Sequence, residues 1–187
     1  MIQEAQISQS VVAILEAIGE NPAREGLRDT PKRVAHLYQE IFAGIGLDPL
    51  EALTITFDEK HDEGTIILRD LSFYSMCEHH LLPFYGMAHI GYIPTNKICG
   101  VSKLARALDL VAKRPQLQER MTSQLADAVY RGLDADGVAV VIDAEHLCMT
   151  MRGVRKPGSR IVTTAIRGPF ANGEIGSRDF LLMLQNG

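Results

Sequence analysis

The sequence predicts an α+β protein in which a helical segment precedes a mixed domain. Apolar residues recur at helical spacing through the first 48 residues, and runs rich in β-branched and aromatic residues follow Pro49. These later runs surround two central helical stretches instead of alternating with single helices, which is typical of α+β architecture. At 187 residues the chain can bury a core without disulfide bonds. We therefore expect a helical appendage at 1–48 and one larger domain at 49–187.

Two helices are predicted in the appendage. Apolar residues from Val11 to Ile18 recur at helical spacing, and Gly19 ends this first helix. A second helix, with Thr30 as its cap and Pro31 in its first turn, extends to residue 44. Proline fits there because the first helical turn has no internal partner for its backbone N–H.

The larger domain contains the predicted strands and the remaining helices. The strands cover 53–57, 64–68, 87–93, 160–166, and 138–142 with a continuation to 150. The helices cover 102–113 with Ser102 as cap, a longer stretch that opens at Pro115 and ends at residue 132, and a short closing segment at 180–184.

Charge and cysteine content exclude several classes of protein. A net charge of −4 from 19 basic and 23 acidic residues argues against a general binder of nucleic acids or anionic membranes. No apolar run approaches the roughly 18 residues of a membrane helix, and the N-terminus lacks the basic start of a secretory signal. Three cysteines do not make a disulfide framework. We expect the protein in the reducing cytoplasm.

A metal centre is predicted from two cysteines and a histidine. Cys77 and His80 stand three positions apart in a turn, and the distant Cys148 can supply a third ligand. Three protein ligands with an open fourth position are typical of catalytic zinc, and His79 and His146 are then natural proton carriers. His146 and Cys148, two apart on a predicted strand, would share one face. Two alternatives stay open: a structural zinc site with a second histidine as fourth ligand, and cysteines that are merely buried.

Basic residues indicate a phosphate site. Lys103 in the first turn of a predicted helix shares a face with Arg106, and cations there oppose the helix dipole unless an anion binds. Arg152 can reach the region of Cys148, as can Arg33 if the appendage folds back. The alternative is a solvated basic face. No glycine-rich phosphate loop occurs, so side-chain cations would hold any polyphosphate.

A carboxylate near a helix start is a candidate for base recognition. Gln118 and Glu119 lie early in the helix opened at Pro115. Glu119 either complements the helix dipole or accepts two N–H donors from a guanine edge. Cys99, His61 and His89 have no partner that favours a ligand role, so we expect them to be inert.

Six segments together resemble one enzyme family, GTP cyclohydrolase I. They are SMCEHHLLPF at 75–84, HIGYIP at 89–94, GVSKLAR at 100–106, RPQLQER at 114–120, HLCM at 146–149 and TPKRVA at 30–35. The likeness extends from residue 26 to the C-terminus. It implies the tunnelling fold, in which antiparallel sheets of several subunits join into a barrel, and a homodecamer of two pentamers whose active sites are shared between adjoining chains.

The resemblance also implies an activity, which is a hydrolase reaction on cyclic amidine C–N bonds. GTP and water would yield formate and 7,8-dihydroneopterin triphosphate, the entry to pteridine and folate synthesis. It implies roles for individual residues: Cys77, His80 and Cys148 as zinc ligands; His79 and His146 as proton carriers; Ser102 near the ribose; Lys103, Arg106, Arg152 and Arg33 on the triphosphate; and Glu119 with Gln118 on guanine. Zinc would activate the water that attacks C8 of the guanine.

One position departs from the family, and two other functions remain open. His36 stands where some relatives place a lysine near the phosphates, which would weaken that contact or make it pH-dependent. A reductase of the same fold, acting on a deazaguanine nitrile, would need a nicotinamide cofactor and no metal. A non-catalytic, zinc-stabilised nucleotide-binding protein would bind GTP without releasing formate. The sequence pattern of zinc nucleobase deaminases is absent.

Overall fold

The computed structural model describes residues 2–54, 56–58, 64–172 and 180. They form two compact units, Met1–Ala43 and Gly44–Gly187. The described helices are α1 (Glu4–Ala17), α2 (Thr30–Ile41), α3 (Val101–Ala112), α4 (Gln118–Gly132) and α5 (Leu147–Thr150), with 3-10 turns at Pro49–Leu53 and Gly168–Asn172. The described strands are β1 (Thr56–Asp58), β2 (Ile66–Cys77), β3 (Pro83–Ile93), β4 (Lys97–Cys99), β5 (Pro115–Gln116), β6 (Gly137–His146) and β7 (Ile161–Arg167).

In the first unit α1 packs against α2. The Ser8 hydroxyl donates to the Pro31 carbonyl at 3.1 Å, and His36 Nε2 lies 3.3 Å from a Glu4 carboxylate oxygen. Gln39 donates its amide to the same carboxylate. Both helices appear where the apolar spacing predicts them, although Thr30, the predicted cap, is the first residue of α2, and Asp29 takes the N-cap position.

The main sheet of the second unit has five strands in the order β5-β2-β3-β6-β7. Its pairs are antiparallel except β5 with β2, which is parallel. A second sheet pairs β1 with β4. Helices α3 and α4 pack on the main sheet, and the core lies between them and one sheet face. The chain therefore has the α+β architecture that its sequence predicts. No helix in the described part of the chain is long and apolar enough to span a membrane.

Strand register brings several strand ends to one edge of the sheet. Phe84 at the start of β3 pairs with His146 at the end of β6. On the other side of β3, Met76 pairs with Pro83, so β2 ends at Cys77 beside the same edge. The β5 strand pairs its Gln116 with Cys77, which brings the start of α4 to this edge as well. Sheet pairing thus brings Cys77, His146 and the start of α4 at Gln118 to one edge.

A glycine permits the close approach of β3 and β6. An ideal Cβ at Gly86 would lie 1.9 Å from the Asp143 carbonyl oxygen and 2.7 Å from the Ala144 Cα. Both neighbours are backbone atoms of the paired strand, so they cannot rotate away as a side chain would. Glycine at this position is therefore a requirement of the β3–β6 pairing.

Three predicted boundaries near the site are wrong. The β6 strand ends at His146, and Cys148 lies on α5, so strand alternation does not relate the two side chains. Pro115 belongs to β5, where an edge strand tolerates the missing N–H, and α4 begins only at Gln118. Ser102 lies inside α3, because the extended backbone of Gly100 caps that helix instead.

Elsewhere the predicted elements are incomplete. The strands expected at 64–68 and 87–93 are the ends of longer strands, and β4 is missing from the predictions. Leu53 ends a 3-10 turn, and the strand predicted around it begins at residue 56 among the described residues. Phe180 is helical, and the remainder of the predicted closing helix lies outside the described residues.

Candidate metal centre and active site

The β2–β3 hairpin turn presents two histidines to solvent. The Cys77 N–H donates to the Leu82 carbonyl at 2.9 Å, and the Leu81 N–H donates back to the Cys77 carbonyl at 2.8 Å. Leu81 adopts a left-handed backbone with φ of 50°, which reverses the chain within the turn. Between these bonds His79 and His80 are exposed, with their rings edge to face at 6.2 Å.

Cys77, His80 and Cys148 form a group that could hold a metal ion. One ligand atom from each lies within 4.8 Å of the other two. Cys77 Sγ is 3.9 Å from His80 Nδ1 and 4.0 Å from Cys148 Sγ. A tetrahedral zinc ion with ordinary bond lengths separates such S–N and S–S pairs by about 3.6 and 3.8 Å. The group is therefore close to metal-binding geometry, and its exposed histidine leaves one side accessible.

The surroundings of the Cys148 thiol disfavour its ionised form, which is the form that binds metal. Burial raises the pKa of the Cys148 thiol, and the neighbouring Cys77 adds to the shift, whereas the positive charge of Arg152 acts against it. A thiol that is costly to ionise alone becomes a thiolate when a divalent cation balances its charge. Sulfur and imidazole donors of this kind are the common ligands of zinc.

His146 is buried and held at two points beside this group. Its ring is stacked on Phe84, and its Nε2 lies 2.7 Å from the Gln118 side-chain oxygen. Burial lowers the pKa of His146, whereas the negative charge of Glu119 acts against that shift. A histidine with a lowered pKa is neutral near pH 7 and can accept a proton.

Gln118 and Glu119 begin α4 but differ in exposure. The Gln118 side chain is buried, and its amide nitrogen lies at 3.0 Å from the Ile142 carbonyl and 2.8 Å from the Ile161 carbonyl. Glu119 is exposed. In this structure the Gln118 amide is thus bonded within the protein, whereas Glu119 is accessible to a ligand. Guanine binding by either residue stays a prediction.

Arg120 supports the turn that contains Cys77 and His80, and sequence reasoning assigned it no role. Its guanidinium forms an ion pair with Glu78, which lies next to Cys77, and also donates to Gln116 Oε1 at 3.0 Å and to the Pro115 carbonyl at 3.2 Å. The hydrogen bond between Arg120 and the Glu78 carboxylate lowers the pKa of Glu78. Arg120 and Glu78 are far apart in sequence, so local spacing does not predict their contact. The presence of Arg120 in the 114–120 segment was the one sequence feature that could have drawn attention to it.

The predicted phosphate contacts lie on separate elements of the chain. Ser102 and Arg106 are exposed and Lys103 is half-buried on the N-terminal half of α3. Within the described ranges, no hydrogen bond or ion pair joins them to the Cys77–His80–Cys148 group. Arg152 is exposed and near enough to influence the Cys148 thiol. Arg33 lies in the first unit, where it pairs with Asp29 at 3.6 Å.

Of the residues expected to be inert, Cys99 and His89 have structural partners. Cys99 is buried and hydrogen-bonded to Tyr92; burial raises the pKa of the Cys99 thiol and raises the pKa of Tyr92 to about 12. His89 Nδ1 accepts the Asp70 N–H at 3.2 Å. His61 lies outside the described residues.

Comparison with known proteins places the chain in a family. The profile of GTP cyclohydrolase I matches residues 7–185. GTP cyclohydrolase 1 of Halalkalibacterium halodurans is 56% identical over 98% of both chains, and that of Dehalococcoides mccartyi is 54% identical over 100% of this chain and 99% of the relative. The Bacillus subtilis protein of the same name is 58% identical over 90% of this chain and 89% of its own. A weaker likeness, with 15% identity and a TM-score of 0.44, relates 58% of this chain to 97% of the archaeosine synthase QueF-Like in the apo form. From the full-length profile match and relatives that share more than half of its residues, the chain belongs to the GTP cyclohydrolase I family.

Proposed function

We propose that the chain converts GTP and water to formate and 7,8-dihydroneopterin triphosphate, with a zinc ion on Cys77, His80 and Cys148. Members of this family are hydrolases of cyclic amidine C–N bonds, and this reaction is the first step of pteridine and folate synthesis. The observation that carries the assignment of the site is the convergence of three ligand atoms at a sheet edge beside a buried histidine.

The donor set suits zinc more than a harder metal. Two thiolates and one imidazole are preferred by zinc, whereas magnesium and calcium prefer oxygen ligands. Three protein ligands leave a fourth position for water or substrate. When bound, zinc supplies a Lewis acid that lowers the pKa of water towards neutrality.

Two histidines move protons in this proposal. His146 accepts one, because burial keeps its imidazole neutral and Phe84 and Gln118 hold the ring in place. His79 is exposed on the hairpin turn next to His80, so it can exchange protons with solvent. Opening of the imidazole ring of guanine and departure of formate both require protons to be removed and returned, which two separate carriers provide.

Substrate binding is assigned to the exposed polar residues. Glu119 accepts the N–H donors of the guanine edge that adenine lacks, which is a basis for strong selectivity. Gln118 was predicted to share this role. Lys103, Arg106, Arg152 and Arg33 hold the triphosphate, and Ser102 lies near the ribose. His36 Nε2 lies 3.3 Å from a Glu4 carboxylate oxygen, so His36 has a structural partner inside the first unit.

We further infer that active sites are completed between chains of a tunnelling-fold decamer of two pentamers. The α3 cations and the three candidate metal ligands lie on separate elements, and no hydrogen bond or ion pair joins them among the described residues, which agrees with shared sites. The outer strand of the described sheet, β7, has Val162 exposed at 60% and offers an edge to a neighbouring chain. Sedimentation tests the assembly: ten chains of 20.6 kDa support it, and a stable monomer with full activity contradicts it.

The activity is tested by incubating metal-analysed protein with GTP. Formate and a pterin-like absorbance should rise together and disappear after chelation, and zinc should restore both. Binding of GTP to the zinc-loaded protein without formate would instead favour the non-catalytic nucleotide-binding protein. Dependence on a nicotinamide cofactor would favour the reductase. The free thiols of Cys77 and Cys148 must stay reduced to bind metal, which agrees with a cytoplasmic protein.

A further inference from the structure

We propose that Gln118 is a positioning residue that fixes the imidazole of His146 in the tautomer with its proton on Nε2, so that Nδ1 carries the free lone pair. The inference rests on the proposed role of His146 in proton transfer. It gives Gln118 a role different from the guanine contact predicted from the sequence. Three observations support it: the direction of the Gln118 amide, the direction of an adjoining hydroxyl chain, and the stacking of the imidazole.

The backbone around Gln118 determines which way its amide points. The amide nitrogen faces two carbonyl oxygens, those of Ile142 and Ile161, at 3.0 and 2.8 Å. A reversed amide would place its oxygen against both carbonyls, which can only accept hydrogen bonds. The side-chain oxygen therefore faces His146, where it lies 2.7 Å from Nε2. Since that oxygen can only accept, Nε2 must donate and carries the proton.

Two threonine hydroxyls support the same orientation. The Thr122 hydroxyl donates to the backbone carbonyl of Gln118 at 2.7 Å, which uses its one proton. Thr163 Oγ1, at 2.6 Å from Thr122 Oγ1, must then donate to it. Thr163 Oγ1 is consequently an acceptor for the Gln118 amide nitrogen at 3.1 Å. Each group thus donates to the next, from the Gln118 amide nitrogen through Thr163 and Thr122 to the Gln118 backbone carbonyl. This order requires the amide nitrogen of Gln118 to face the threonines.

The surroundings of His146 disfavour any other orientation of its imidazole. Gln118 is 1% exposed and His146 is 9% exposed, so water is not freely available to replace the bond. Phe84 lies parallel to the imidazole and restricts the tilt of its plane. Rotation of the ring by half a turn would place a C–H group opposite the Gln118 oxygen and lose the hydrogen bond. The stack on Phe84 therefore restricts the plane of the imidazole, and the hydrogen bond to Gln118 disfavours its half-turn rotation.

The direct test is nitrogen NMR of the zinc-loaded protein by magic-angle spinning, with ¹⁵N-histidine labelling and His146→Asn to assign the signals. His146 should show a protonated Nε2 and an unprotonated Nδ1. In Gln118→Met, which has similar length but no hydrogen-bonding groups, the two tautomers should mix. A wild-type His146 protonated on Nδ1, or unchanged signals in Gln118→Met, would overturn the inference without any reference to activity.

Kinetics distinguishes positioning from guanine binding. Gln118→Met should lower kcat by about 10- to 100-fold with KM for GTP and zinc content nearly unchanged. Thr163→Val, which removes one acceptor of the amide, should have a smaller effect in the same direction. A raised KM with kcat retained would contradict positioning and return Gln118 to the guanine site. If wild-type protein releases no formate, the proposed function fails, whereas the tautomer measurement still decides the role of Gln118.

Discussion

His146 lies flat against Phe84, with ring centroids 4.5 Å apart and planes within 5° of parallel. The two residues are also direct partners in the β3–β6 pairing. Sheet register therefore sets the position of the imidazole, and the stack sets its plane. A side chain built into the sheet in this way is more rigid than one on a loop, which suits a proton carrier that must meet its substrate in one orientation.

Replacement of Cys148 by serine should remove the metal. A serine hydroxyl remains protonated at neutral pH and is a poor zinc ligand, so we expect zinc content and formate release to fall together. Both are measured on purified protein, by elemental analysis and product assay. Cys99→Ala is the matched control because Cys99 is a buried thiol packed with Tyr92, and it should retain zinc. A Cys148→Ser protein with full zinc and turnover would contradict the ligand assignment.

Loss of Arg120 should weaken metal binding without removing a ligand. Arg120→Ala breaks the ion pair with Glu78 and the bond to Gln116, which together hold the turn that contains Cys77 and His80. We expect zinc affinity to fall by about tenfold, as measured by competition with a chelator dye. Arg131→Ala, an exposed arginine at the other end of α4, is the control. Equal affinities in the two variants would show that the turn holds its shape without Arg120.

Glu119 should determine the choice of nucleotide base. Glu119→Ala removes the carboxylate proposed to accept two N–H donors of guanine, so the preference for GTP over ATP in competition binding should decrease by at least about 100-fold. Zinc content should be unchanged. Glu51→Ala, another exposed carboxylate in the same unit, should retain the preference. Unchanged GTP selectivity in Glu119→Ala would place the guanine contact elsewhere.

Gly86→Ala should destabilise the protein more than an ordinary glycine substitution. The added methyl group would meet the Asp143 carbonyl at 1.9 Å, so β3 and β6 would have to separate. We expect the free energy of unfolding to fall by about 3 kcal/mol or more, measured by denaturant titration. At Gly100 the nearest atom to the same methyl is 4.0 Å away, and Gly100→Ala should cost less than about 1 kcal/mol. Equal losses would contradict the close approach of the strands.

His89 should make stability depend on pH. Burial lowers the pKa of His89 below its ordinary value of 6.5, while Asp70 acts in the opposite direction. Below pH 6.5 the unfolded chain binds a proton at this histidine that the folded chain does not. The free energy of unfolding therefore decreases as the pH is lowered from 6.5, until the pH is below the pKa of the folded state. His146 contributes with the same sign.

The variant His89→Gln tests this linkage. Between about pH 5 and pH 8 its free energy of unfolding should change less with pH than that of the wild type, by a slope of up to about 1.4 kcal/mol per pH unit. Near pH 8 both proteins should show the same slope, because histidine is neutral in both states there. Identical slopes across the whole range would exclude His89 as a contributor.

Local signals in the sequence were sufficient to predict the α+β class and to select Cys77, His80 and Cys148, which the structure brings together. Cys77 and His80 are near in sequence, and a cysteine elsewhere completes a recognisable donor set. Sequence periodicity failed at α5, because a four-residue helix is too short to show a helical repeat. Pro115 was misplaced for a related reason: a proline before a helical pattern predicts a helix start, while its pairing with β2 is invisible in the chain order.

The supporting contacts could not be predicted because they depend on tertiary pairing. Arg120 meets Glu78 only because β5 lies parallel to the end of β2. The buried amide of Gln118 satisfies carbonyls of β6 and β7, and nothing near Gln118 in the sequence indicates that those carbonyls need a donor. Such contacts follow from the arrangement of strands, which local spacing does not encode.

The 71-residue separation of Cys77 and Cys148 has a consequence for how the chain folds. In the unfolded chain Cys77 and His80 already lie close together, but recruitment of Cys148 requires closure of a long loop, at an entropic cost of about 4 kcal/mol. At the proposed site, capture of a metal by all three ligands therefore requires the β2–β3 and β3–β6 pairings, which bring Cys148 to Cys77. Metal bound at the proposed site would tie the two segments together, so its removal by a chelator should lower the free energy of unfolding as well as the activity.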